Sequence, residues 1–234
     1  MIDEGAIKYR CNWENAPAVR PHEVVELTRY RDALYQLNFI GQYPNGIGFG
    51  NISHRVPTPA SSPTPHFIIS GTQTAHLSTL TAAEYARVTS FDPAQNTLTC
   101  QGLCKASSES LTHGVVYAQA STAQASTGLE STAQTSTINA IIHIHHQPLW
   151  KQLLYKVPTT HVAVPYGTPE MAAETQRLFR ETDLLESKVF AMAGHEEGIV
   201  AFGATLSEAY RMLIDLAIAA QIIPSTALQL PEQI

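Results

Sequence analysis

The sequence predicts a layered α/β fold, with helices packed against a mixed sheet in an α/β/α arrangement. Three observations carry that expectation. Short β-branched runs such as Ile141-Ile142-His143-Ile144 are interspersed with amphipathic stretches of helical length. The strands do not alternate strictly with helices, and two adjoining pairs read as hairpins, so the sheet is not a pure parallel array. A length of 234 residues with 44% hydrophobic content supports one sizeable core, or at most two small domains. The expected organisation is a single domain over residues 1–234, with a low-complexity insertion at 119–137.

Residues 1–18 are polar and without clear periodicity, and read as an irregular lead-in. Pro21 opens a helix, as proline at a first helical position does, and Val24, Leu27, Tyr30, Leu34 and Leu37 give it one apolar face. Gly46-Ile47-Gly48-Phe49-Gly50-Asn51 is either a tight turn into a strand over 52–56 or a loop whose backbone N–H groups approach a ligand. The proline-rich stretch 57–65 is a surface loop. A short strand over 66–69 ends in Ser70-Gly71-Thr72. Thr81-Ala82-Ala83-Glu84 is a capping box for a short helix, and a hairpin spans 86–91 and 97–101.

Ala106-Ser107-Ser108-Glu109 starts a helix running through Tyr117. The low-complexity stretch follows, in which Ser-Thr-Ala-Gln at 121–124 recurs at 131–134. Two polar copies cannot build a core, so it reads as a solvated insertion and not a solenoid. The histidine-bearing strand ends before Pro148, which starts a helix with Leu149, Leu153 and Leu154. Residues 161–164 read as a strand, and Thr168-Pro169 caps a helix to about Thr182. Strands at 188–193 and 198–202 are joined by Gly194-His195-Glu196-Glu197. A second capping box, Thr205-Leu206-Ser207-Glu208, opens a strongly apolar last helix, and the tail from Pro224 reads as loose or as a subunit contact.

Composition removes several functions. Net charge is −6 with 14 Lys+Arg and no basic stripe, which argues against a nucleic-acid surface. No apolar run is long enough to span a bilayer, and no signal-peptide pattern opens the chain. Cys11, Cys100 and Cys104 are odd in number and lack zinc-ribbon spacing, so they read as ordinary small residues in a reducing cytoplasm.

The chemistry concentrates in the histidine strand. Residues two apart on a strand share a face, so His143 and His145 point one way and His146 the other. Such a pair is either core histidine bonded to its neighbours or two corners of a metal site. His195, in a tight turn, offers a third corner and leaves a fourth open, as catalytic zinc sites do. Ser108 and Glu109 can be simple helix-start residues. Equally, a helix start bearing Ser107 and Ser108 is an anion site with Glu109 beside it as acid or base. His113, four residues on, would orient or pair with that carboxylate.

In order and spacing these pieces resemble the class II aldolase/adducin family, from Gly50-Asn51-Ile52-Ser53 to Glu208-Ala209. The matching segments are Gly50–Ser53, Ser70-Gly71, Ser107-Ser108-Glu109 with His113 and Tyr117, Ile142–His145, Tyr166–Glu170, and His195 with Gly198 and Phe202-Gly203. The resemblance implies a three-layer α/β/α sandwich on a mostly antiparallel sheet. It implies His143, His145 and His195 as ligands of Zn2+ or another divalent metal, Glu109 as the catalytic carboxylate and Tyr166 as the acid. Asn51, Ser70, Gly71, Ser107 and Ser108 would cradle phosphate. The implied activity is retro-aldol cleavage of a sugar phosphate through a zinc-stabilised enediolate, by a cytoplasmic homotetramer. Epimerisation or dehydration on the same site and an adducin-like non-catalytic module are the alternatives. The chain departs from the pattern after His195, where the family places glycine next. Here Glu196 and Glu197 intervene, either as exposed turn residues or as groups acting on the substrate.

Overall fold

The computed structural model describes residues 6–126 and 138–227. In chain order they form β1 (Arg10–Asn15), α1 (Pro21–Gln36), β2 (Gly41–Gln42), β3 (Gly48–Phe49), β4 (Asn51–Arg55), β5 (Phe67–Ser70), β6 (Tyr85–Asp92), β7 (Thr97–Gly102) and α2 (Ser110–Ser126). There follow β8 (Ala140–His145), α3 (Gln147–Leu153), α4 (Pro169–Glu181), α5 (Leu184–Ser187), β9 (Val189–Ala191), β10 (Gly198–Gly203) and α6 (Leu206–Ala219). Eight strands form one sheet in the order β1-β7-β6-β5-β4-β8-β10-β9, and β2 and β3 pair separately. All neighbours in the large sheet are antiparallel except β1 and β7, which run parallel. The predicted mixed, mostly antiparallel α/β sheet is therefore what forms.

The sheet divides two cores. Ile52, Ile68, Ile142, Ile144, Ile199 and Ala201 pack with α1, α3 and α6 on one face. Phe67, Ile69, Val88, Ile141, Val200 and Phe202 pack with α2, α4 and α5 on the other. Period-two alternation sorts each strand between these faces. It sends Ile142 and Ile144 to the first core, so His143 and His145 face the α2/α4 side. β8 lies between β4 and β10, hydrogen-bonded along both edges.

Several expectations are corrected. The lead-in contains β1, whose residues are mostly exposed and so carry no apolar alternation; backbone pairing to Thr97–Gly102 holds it. Residues 161–164 make a turn, with the Val164 N–H donating to the His161 carbonyl at 3.1 Å. Sheet-edge bonding falls earlier, through Thr160 N–H and the Pro158 carbonyl to Ala191. Pro165 then closes the segment. The Thr81 capping box forms, but around a single 3-10 turn over Ala82–Glu84. At 205–208, Thr205 caps the Glu208 N–H, while Glu208 reaches the Ala204 N–H and Lys188. Helix α2 begins at Ser110, later than expected, and runs through Ser126 into the stretch read as a loop. Alanines and glutamines tolerate helix well, and no glycine or proline intervenes between Tyr117 and Gly128. The remainder of the insertion, 127–137, and the tail 228–234 lie outside the described residues.

No helix among the described residues is long and apolar enough to cross a membrane. Cys11, Cys100 and Cys104 are free thiols, with the Sγ atoms of Cys11 and Cys100 3.7 Å apart across β1 and β7.

Candidate metal and substrate site

Three histidines meet on the α2/α4 side. His143 and His145 come from β8, and His195 from the turn between β9 and β10. All three are buried, and their candidate ligand atoms lie within 4.8 Å of one another. Ring centroids are 4.7 to 5.2 Å apart. His195 Nε2 is 2.8 Å from His145 Nε2. Gly198, opposite His145 in the β8–β10 pairing, leaves room for the third ring: a Cβ there would sit 2.5 Å from His195 Cδ2.

The outer nitrogens are anchored. Tyr43 Oη lies 3.0 Å from His145 Nδ1. Asn51 Nδ2 lies 3.2 Å from His143 Nδ1, while Asn51 Oδ1 and His143 Nε2 are buried with no hydrogen-bond partner among the described residues. A half-turn of that amide places Oδ1 against Nδ1 as an acceptor. His143 then keeps its proton on Nδ1 and offers the Nε2 lone pair inward. Burial, reinforced by the neighbouring rings, holds the pKa values of His143 and His145 well below that of free histidine. Neutral imidazoles with inward-facing nitrogens are the donor set that zinc or a similar divalent ion takes. Tetrahedral zinc–nitrogen bonds need nitrogens about 3.4 Å apart, within the range this trio spans. An unpartnered buried nitrogen on His143 fits the same assignment, so the residues fit a metal.

Glu109 stands at the junction into α2, 2% exposed. Its Oε2 accepts from the Thr112 hydroxyl at 2.8 Å, and its N–H donates to Ser107 Oγ at 3.4 Å. His113 does not pair with this carboxylate. Its Nδ1 is 2.7 Å from Ser53 Oγ, which also lies 2.7 Å from Tyr117 Oη. Glu109 precedes the helix, so the i,i+4 relation does not bring the two side chains together. Burial pushes His113 down to about 3. Tyr9 Oη donates to the carbonyls of Ala106 and Ser107, bracing the approach to α2 from beside β1.

A cavity of about 30 Å3 joins these groups. Its walls include Asn51, Gly71, Ser107, Ser108, Glu109 and the three histidines. It adjoins, through Gly48 and Gln73, an open cavity of about 400 Å3 that Gln42 and His76 also line. The inner space accommodates an ion and a water, and a sugar-sized ligand would extend outward.

Two expected residues sit differently. Ser70 Oγ accepts from the Ile52 N–H at 3.2 Å and does not line the cavity; Thr72 and Gln73 take that wall. Gly71 is there because the chain is crowded: a Cβ would meet Cys104 Sγ at 2.4 Å. Tyr166 packs edge-on against His195, with ring centroids 4.5 Å apart, and its Oη accepts from the Ala6 N–H at 3.2 Å. Lys8 Nζ sits 3.8 Å from the Tyr166 ring centroid. Sequence reasoning missed Tyr43, Phe49, Gln73 and Lys8. Tyr43 is 102 residues from His145 and carries no local motif.

A layered α/β/α sheet with a three-histidine pocket beside a helix-start carboxylate defines the class of protein. The chain belongs to the family described as class II aldolase and adducin N-terminal domain, whose model matches residues 42–223. Among solved structures it resembles a sugar-phosphate aldolase from Thermotoga maritima (TM-score 0.60, 18% identity, 86% of this chain and 93% of that one). It also resembles an L-fuculose 1-phosphate aldolase (0.57, 17%, 88% and 86%). A third is YgbL from Klebsiella pneumoniae, described as a candidate aldolase/epimerase/decarboxylase (0.56, 19%, 88% and 90%). At these identities the likeness is one of fold. Comparison with curated proteins finds no match.

Proposed function

We propose that the protein is a metal-dependent lyase that cleaves a ketose phosphate in the retro-aldol direction, and that residues 1–234 form one domain for this purpose. The observation that carries the reading is the convergence of three buried histidines beside a buried carboxylate in one cavity. His143, His145 and His195 would hold a divalent cation, zinc or a similar metal. Such a cation supplies Lewis-acid stabilisation of the negative charge that develops on substrate oxygens. Glu109 takes and returns the proton of the substrate hydroxyl or α-carbon, held in aim by the Thr112 hydroxyl. Ser107, Ser108 and the first N–H groups of α2 bind the phosphate, with Asn51 and Gly71 on the adjoining wall. Tyr166 packs on His195 and serves as the candidate acid.

Three measurements test this. Purified protein should hold one divalent ion per chain, and His143→Ala should lose it. Absence of stoichiometric metal removes the enzyme reading and returns the chain to a non-catalytic binding module. With metal present, a ketose-phosphate panel should release a three-carbon fragment; epimer formation without cleavage would replace lysis by epimerisation. Replacing Ser107 and Ser108 by alanine should raise KM for the phosphorylated substrate far more than for its free sugar.

A further inference from the structure

Glu196 and Glu197 follow His195 in the turn between β9 and β10, and the structure separates them. Glu196 is exposed, and its carboxylate accepts from the Gln147 side chain at 3.3 Å. Glu197 is half-buried. Its backbone holds a left-handed φ of 71°, unusual for a residue other than glycine, and its carbonyl accepts from the His146 N–H at 3.1 Å. That bond ties the turn to the end of β8. It places Glu197 Oε2 2.6 Å from Tyr43 Oη, which in turn lies 3.0 Å from His145 Nδ1. Phe49 packs against both rings, at 4.6 Å from Tyr43 and 5.7 Å from His145.

We propose that Glu197 and Tyr43 are positioning residues that fix the tautomer of His145. Counting protons gives the direction. A phenol has one O–H, and an ionised carboxylate can only accept. With the Tyr43 proton committed to Glu197, the phenol oxygen must accept at its second contact, so His145 Nδ1 is the N–H donor. The lone pair then lies on His145 Nε2, the atom facing His195. Without Glu197, Tyr43 is free to donate to Nδ1, which moves the imidazole proton to Nε2 and blocks the ligand atom. Outer groups of this kind typically change metal affinity by about 10- to 100-fold. The turn that carries Glu197 thus prepares one metal ligand. This inference rests on the metal-site reading above.

The test uses the full chain in wild-type, Tyr43→Phe, Glu197→Ala and Glu197→Gln forms. Zinc dissociation constants come from competition with a chromophoric chelator. The His145 tautomer comes from 15N side-chain NMR of metal-free protein, assigned with His145→Gln. Expected are an Nδ1–H tautomer in the wild type and a shift towards Nε2–H in Glu197→Ala. Zinc affinity should fall about 10- to 100-fold in Tyr43→Phe and in Glu197→Ala. Glu197→Gln, whose amide oxygen still accepts, should lose less. A variant combining Tyr43→Phe with Glu197→Ala should lose no more than either single one, because both break one chain of bonds. An Nε2–H tautomer in the wild type, or affinities within twofold across the variants, overturns the proposal. If the wild type itself binds no zinc, the metal reading fails, and the tautomer comparison alone decides the relay. A lowered thermal midpoint with unchanged tautomer and affinity would assign Tyr43 and Glu197 to packing and overturn it too.

Discussion

Gly198→Ala is the sharpest perturbation the site offers. Gly198 opens β10 opposite His145. A methyl there would lie 2.5 Å from His195 Cδ2, 3.0 Å from the His195 carbonyl and 3.2 Å from His143 Nε2. Carbon atoms rest at about 3.5 Å or more, so the overlap with the His195 ring is about 1 Å. The backbone at Gly198 is not in the left-handed region, so the conflict is purely one of space. The ring has little room to retreat, with Tyr166 packed on it and His145 Nε2 2.8 Å from its own Nε2. Overpacking of this kind costs about 1–3 kcal/mol. Falling on a ligand that must hold its place to about 0.5 Å, that corresponds to a loss of about 5- to 150-fold in affinity. Zinc competition titration of the wild type and variant reads this directly. The thermal midpoint of the metal-free proteins should differ by only a few degrees for each kcal/mol. A variant that binds zinc within twofold of the wild type would refute the claim that Gly198 is there to seat His195.

Three further outcomes follow from the same structure. Glu109→Gln should keep the metal while slowing proton exchange at the α-carbon of dihydroxyacetone phosphate in D2O by about 100-fold or more; unchanged exchange by NMR would assign the proton to another group. Leu213→Ala, fully buried in α6 on the far face of the sheet, should cost about 2–5 kcal/mol in urea unfolding and leave zinc affinity unaltered. Stability of the metal-free protein should depend on pH through His113. Its folded pKa, about 3, is below the ordinary 6.5 because of burial, so the unfolded chain binds a proton that the fold refuses. The contribution is complete above about pH 6.5 and is lost as pH falls towards 3, at up to about 1.4 kcal/mol per pH unit. Urea midpoints that stay level between about pH 7.5 and pH 5 would contradict it.

What the sequence made legible was local. The apolar alternation around Ile142 and Ile144 placed β8 and put His143 and His145 on one face. Pro21 and Thr168-Pro169 marked helix starts that form where expected. β1 was hidden because its exposed side chains have no periodicity to read, and its partner is 87 positions away along the chain at each pairing, as at Arg10 and Thr97. The turn at 161–164 was misread because three apolar residues in four look like a strand until the competing edge, at Thr160, is seen. The site divided in the same way. Histidine spacing and the serine-glutamate helix start are short-range patterns. Gln73 reaches the cavity because β4 lies between β5 and β8, and Tyr43 meets His145 from 102 residues away, facts that no window of sequence contains.

The Ser53 hydroxyl, wedged between His113 and Tyr117, joins the early turns of α2 to a central strand. Glu109 lies on one side of that pin and the Ser-Thr-Ala-Gln repeat on the other. That pin fixes the first turns of α2 to β4, so a substitution on α2 beyond Tyr117 should leave the carboxylate in register with the histidines.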